Sequence, residues 1–101
     1  MATKILIVDD DRDIVQILRL LLEGEGYETL TAFDGGEALE KINGTVDLVI
    51  LDIMMAGING FEVCRCIRES SYAPILFLSA MSGDAEKVAA LAAGGDDYLC
   101  K

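Results

Sequence analysis

Four apolar runs in this chain each lead into a residue able to do chemistry. Lys4 to Val8, KILIV, runs into Asp9 and Asp10, and Leu48 to Leu51 stops at Asp52. The run opened by Pro74, PILFL, ends at Ser79, and Asp96 to Cys100, DDYLC, ends at Lys101. Short apolar runs rich in β-branched residues and closed by turn residues read as strands buried on both faces. A charge at the tip of such a strand is costly unless the tip opens onto solvent, a metal or a ligand. One Asp at one tip carries little weight, because an exposed cap explains it as well. Carboxylates, a hydroxyl and an ammonium spread over four tips are harder to assign to chance. The chemistry that fits is phosphoryl transfer to a carboxylate. Clustered carboxylates repel one another, and Mg²⁺ relieves that strain because it favours octahedral oxygen coordination. Asp52 then stays ionised and acts as the nucleophile. The transition state is loose, so positioning and charge neutralisation supply most of the catalysis. Mg²⁺ serves one side of the transferring group and the Lys101 ammonium the other. The Ser79 hydroxyl donates to a phosphoryl oxygen once one arrives.

These residues meet only if the strands run parallel, and the intervening segments say that they do. Asp11 or a neighbour can cap a helix from Arg12, in which Ile14, Val15, Ile17, Leu18, Leu21 and Leu22 recur at helical spacing until Gly24 or Gly26. Tyr27 to Ala32, YETLTA, alternates and reads as a less buried strand near an edge. Asp34 with Glu37 resembles a capping box, opening a short helix to about Ile42 that Asn43 and Gly44 stop. Asn59 can cap a helix with Glu62 at its third position and Phe61, Val63, Cys64 and Ile67 inside, ending at Ser70 and Ser71. After a loop from Ala80 to Gly83, Asp84 to Ala93 is an Ala-rich helix with Val88 and Leu91 expected to face inward. Five strands with a helix in each gap imply parallel pairing and right-handed crossovers. The fold class is α/β, an open doubly wound sheet, and such sheets bind ligands outside the carboxyl ends of their strands.

Composition narrows the partners. The 101 residues suit one domain, and an apolar fraction of 52% is enough for a core. A net charge of −10 should repel nucleic acid and suit cations or basic surfaces. No apolar run approaches the roughly 18 residues that span a bilayer, and no signal-peptide pattern opens the chain, so a cytoplasmic location is expected. Cys64, Cys66 and Cys100 form no Cys-x-x-Cys pair and histidine is absent, so zinc and disulfide frameworks are not expected.

Taken together, KILIVDD, DLVILDIMM, NGFEVCRCIRE, PILFLSA and GGDDYLCK resemble the response-regulator receiver domain over the whole length, residues 1–101. The resemblance implies a flavodoxin-like sheet of strand order 2-1-3-4-5. It implies Asp52 as phospho-acceptor, Asp9 and Asp10 as Mg²⁺ ligands and the Met54 backbone carbonyl as a further ligand. Ser79 would be the switch hydroxyl, Tyr98 the switch aromatic that rotates inward, and Lys101 the phosphate-contacting lysine. The donor would be a partner histidine kinase, and the pattern is most similar to transcriptional regulators of the winged-helix type. The domain would catalyse only its own phosphorylation and dephosphorylation. The chain departs from the family at Ala56, where proline is usual, at Asn59, where Asp is common, and at Gly95, where alanine is frequent. Family members also continue past the lysine with a final helix and often an effector domain. Without them the chain reads as a truncated receiver, expected to form a homodimer or larger assembly through the bare sheet face. Two other readings stand beside this one: an inert receiver fragment, and a Mg²⁺-dependent phosphohydrolase with an Asp nucleophile. The phosphohydrolase would carry a second Asp two residues after the first, where this chain has Met54.

Overall fold

A computed structural model describes residues 2–55, 57–79 and 84–100. Its elements alternate: β1 (Lys4–Val8), α1 (Arg12–Gly24), β2 (Glu28–Ala32), α2 (Gly35–Lys41), β3 (Leu48–Leu51), α3 (Gly60–Arg68), β4 (Ile75–Ser79), α4 (Asp84–Ala92) and β5 (Asp97–Cys100). The strands form one parallel sheet in the order β2-β1-β3-β4-β5, the expected order. YETLTA is the edge strand its alternation suggested, exposed at its start and buried only at Ala32. No helix among the described residues is long and apolar enough to cross a membrane.

Helices α1, α2 and α3 each begin on the cap their sequence offers. The Asp11 carboxylate accepts from the Asp13 and Ile14 amides, and Asn59 accepts from the Glu62 amide at 3.1 Å. At α2 the Asp34 carboxylate accepts from the Glu37 amide, but the return bond is displaced by one residue. Glu37 accepts from the Phe33 amide at 2.6 Å. The Arg12 guanidinium lies 4.1 Å from the centre of the Phe33 ring, joining the start of α1 to the end of β2.

Side chains alternate across the sheet, as the strand period requires. Leu6, Val8, Val49, Leu51 and Phe77 meet Ala38 of α2, Val63, Cys64 and Ile67 of α3, and Ala90 of α4. Ile5, Ile7 and Ile50 lie on the other face under Val15 of α1. The α4 expectation fails here. Val88 and Leu91 are 66% and 56% exposed, and the residues facing the core are Ala90 and Ala93. The small side chains let the end of this segment approach the sheet closely. At Gly95, just beyond it, an added Cβ would stand 2.6 Å from the Phe77 ring and 2.9 Å from the Ala90 carbonyl oxygen.

Arg68 ties the lower ends of these elements together. It donates to the carbonyls of Gly94 and Ala73 at 2.9 and 2.6 Å and pairs with Asp96 at 2.8 Å. Asp96 in turn accepts from the Ile75 amide, so one guanidinium links α3, the start of β4 and the approach to β5.

Cys64 is fully buried, its thiol set on the Ala93 carbonyl, while Cys66 is exposed. Burial pushes the Cys64 thiol above its ordinary 9.0. Iodoacetamide at neutral pH should therefore modify Cys66 in the native protein and reach Cys64 only after unfolding, as peptide mapping would show. Unfolded chains lose the Cys64 proton first as pH climbs past the ordinary thiol value. Stability from this group is thus complete below that value and declines above it.

Candidate functional site

Backbone hydrogen bonds carry the ladder one residue past the strands and hold the carboxylates in place. The Asp9 amide donates to the Ala32 carbonyl at 3.1 Å, and the Asp52 amide donates to the Val8 carbonyl at 2.9 Å. Both side chains are buried, at 3% and 5% exposure, at the carboxyl edge of the sheet. The Asp11 amide donates to Asp9 Oδ1 at 3.0 Å, which orients that carboxylate. Asp10 is exposed and completes the group. One oxygen from each of Asp9, Asp10 and Asp52 lies within 4.8 Å of the others.

The loop after Asp52 is pressed down onto it by α3. The Gly60 amide donates to the Ile53 carbonyl at 2.8 Å. A Cβ on Gly60 would collide with the Asp52 carbonyl oxygen and lie 2.7 Å from Ile53 Cα, so only glycine permits this approach. Beside the carboxylates a depression of about 490 Å³ is lined by Asp10, Ile53, Met54, Met55, Asn59 and Phe61. The Met54 side chain is 65% exposed.

Ser79 ends β4 at the same edge, 1% exposed, and its register partner on β5 is Cys100, the residue before Lys101. Tyr98 pairs with Phe77 and is turned inward, 8% exposed, within the main core. Lys101 lies outside the described residues. The structure thus brings Asp9, Asp10 and Asp52 together and sets Ser79 at their edge. Sequence reading missed Gly60. The available signal was a glycine directly after a helix cap, where alanine makes the better helix.

The family model for the response regulator receiver domain matches residues 5–101. The chain belongs to the response-regulator receiver family. Over all 101 residues the receiver chain is 54% identical to the uncharacterized transcriptional regulatory protein YrkP of Bacillus subtilis, and it covers 44% of that protein. It spans less than half the length of the curated relatives it matches. Among solved structures, a two-component response regulator from Clostridium difficile superposes with a TM-score of 0.95 at 38% identity, covering 98% of this chain and 83% of that one. The response regulator TrrA of Thermotoga maritima, solved in complex with Mg(2+)-BeF, superposes at 0.87 with 44% identity, covering 98% of this chain and 86% of that one.

The donor set fits a hard divalent cation. It is all oxygen, compact enough to share one ion, and open to solvent at Asp10 for water ligands.

Proposed function

We propose that this receiver is a phospho-accepting switch whose acceptor is Asp52, charged by a partner histidine kinase in the cytoplasm. The observation that supports it most is the placing of Asp52 with Asp9 and Asp10 within 4.8 Å at the carboxyl edge of the sheet. Asp9, Asp10, Asp52 and the Met54 backbone carbonyl would hold a Mg²⁺ ion, which when bound would supply charge to neutralise the phosphoryl oxygens. An Asp52 carboxylate oxygen attacks phosphorus, the P–N bond of the donor phosphohistidine breaks, and the imidazole nitrogen leaves with the electron pair. Hydrolysis later breaks the new acyl phosphate, returning the carboxylate and inorganic phosphate. Ser79 donates its hydroxyl to a phosphoryl oxygen, Lys101 offsets its charge, and Tyr98, already turned inward without a phosphoryl group, is held in that inward position. The output is a biased surface at α4 and β5, read by a partner or an effector domain. The domain turns over no external substrate. The position two beyond Asp52 holds Met54, whose thioether cannot relay a proton. With a net charge of −10 this chain itself does not bind nucleic acid.

Acetyl phosphate with Mg²⁺ should add the mass of one phosphoryl group to the intact protein, and Asp52→Asn should abolish the gain. No gain in the wild type, or a gain that persists in Asp52→Asn, would defeat the proposal.

Self-association belongs to the same proposal. On the α1 face, α1 packs on β1 and β2, while Leu99 of β5 is exposed and Leu76 and Leu78 are only half-buried. Ile17, Leu20 and Leu21 of α1 are also exposed, one apolar stripe at i, i+3, i+4 spacing. A second copy covering this face removes that apolar surface from water. Light scattering should show mass rising with concentration; a monomer throughout the range contradicts it.

A further inference from the structure

We infer that Gly35, the first residue of α2, is a positioning residue for the carboxylate rim and acts through Ile58; the inference rests on the function proposed above. A Cβ on Gly35 would lie 2.5 Å from Ile58 Cγ1, 2.9 Å from Ile58 Cδ1 and 2.7 Å from Val63 Cγ2. Gly35 itself is buried. Val63 is fully buried on the inner side of α3 and has no room to retreat. Ile58 is half-buried, so it is the side that yields. It belongs to the connection that leaves Asp52 and enters α3. That connection is pinned at its α3 end by the Gly60 amide on the Ile53 carbonyl and by the contact of Gly60 with the Asp52 backbone. Displacement of Ile58 is therefore passed to the residues between the pins, Met54 and Met55 among them. The start of α2 braces the β3–α3 connection, and glycine sets the height of the brace.

Helix propensity works against this glycine. Alanine is the better helix former, so a purely helical role predicts that Gly35→Ala strengthens the protein and leaves the rim alone.

The test is an amide-resolved NMR titration with MgCl₂ on wild type, Gly35→Ala, Ile58→Ala and the double variant. Gly35→Ala should weaken Mg²⁺ binding about tenfold, the scale of lost outer-shell support. It should also shift the amides of Ile53 to Met55 and of Gly57 to Gly60. In the double variant, which lacks both Ile58 atoms but keeps the 2.7 Å approach to Val63 Cγ2, affinity should recover most of the way to that of Ile58→Ala alone. Wild-type affinity in Gly35→Ala, or no recovery in the double variant, overturns the inference. If the wild type shows no Mg²⁺-dependent shift at the rim, the functional reading fails, and metal-free spectra decide the brace. Amides displaced in Gly35→Ala and restored in the double variant support it; unmoved amides overturn it. Should Gly35→Ala not fold, Ile58→Ala alone is read: a several-fold weaker affinity supports the brace, and an unchanged one overturns it.

Discussion

Gly60→Ala should destabilise the receiver by about 3 kcal/mol, the upper range for overpacking, and slow phosphorylation of Asp52 about a hundredfold, as a misplacement near 1 Å does. The two effects share one cause. The new methyl meets the Asp52 carbonyl oxygen and the Ile53 Cα, which are backbone atoms with no rotamer to turn aside. Either α3 backs away, losing the 2.8 Å bond from the Gly60 amide to the Ile53 carbonyl, or the Asp52 backbone shifts. The first outcome loosens Val63, Cys64 and Ile67 from the core, and the second moves the acceptor carboxylate relative to Asp9. Urea unfolding reads the stability. Intact-mass time courses with acetyl phosphate, taken where the variant is still folded, read the rate. A folded Gly60→Ala that is phosphorylated at the wild-type rate would show that this contact does not set the acceptor.

Asp9→Asn should stabilise the ion-free protein and shrink the stabilisation that Mg²⁺ supplies. The substitution is isosteric, and the amide oxygen can still accept the Asp11 amide that Asp9 Oδ1 accepts at 3.0 Å. It removes one negative charge from three crowded within 4.8 Å. At that spacing each of the two repulsions Asp9 makes is about 1 kcal/mol at the dielectric constant of water, so the ion-free variant should be the more stable by about 1–2 kcal/mol once salt screens them. Mg²⁺ at a hundred times its dissociation constant should stabilise the wild type by about 2.7 kcal/mol. The variant, missing a ligand, should bind at least about tenfold more weakly, beyond the loss of an outer-shell partner, and gain correspondingly less. Thermal melts with EDTA and with MgCl₂ read both arms. If Asp9→Asn gained as much from Mg²⁺ as the wild type, Asp9 would not be a ligand.

Much of this was legible before any coordinates. Apolar runs of β-branched residues marked the strands, and their closing residues Asp9, Asp52 and Ser79 marked one edge, because parallel pairing puts every carboxyl end on the same side. The caps at Asp11, Asp34 and Asn59 were legible because capping is local chemistry between residues two or three apart. What escaped reading depends on distance across the fold. Val88 and Leu91 looked like the inner face of α4 by hydrophobicity alone. The helix instead turns Ala90 and Ala93 to the core, and which face meets the sheet is decided by packing that no single segment encodes. Gly35 and Gly60 drew no reading from the sequence, and their purpose shows only where Ile58 and the Asp52 backbone come against them. Arg68 drew no reading either, since its partners Gly94 and Asp96 lie more than twenty-five residues further along the chain.

The claim beneath all of this is that Asp9, Asp10 and Asp52 hold a single divalent ion beside the acceptor. Crystals grown with MnCl₂ and measured at the manganese edge test it most directly. The account predicts one strong anomalous peak in the mouth between the three carboxylates, bonded to Asp52. A map with no peak there, or with manganese bound only away from Asp52, would contradict it.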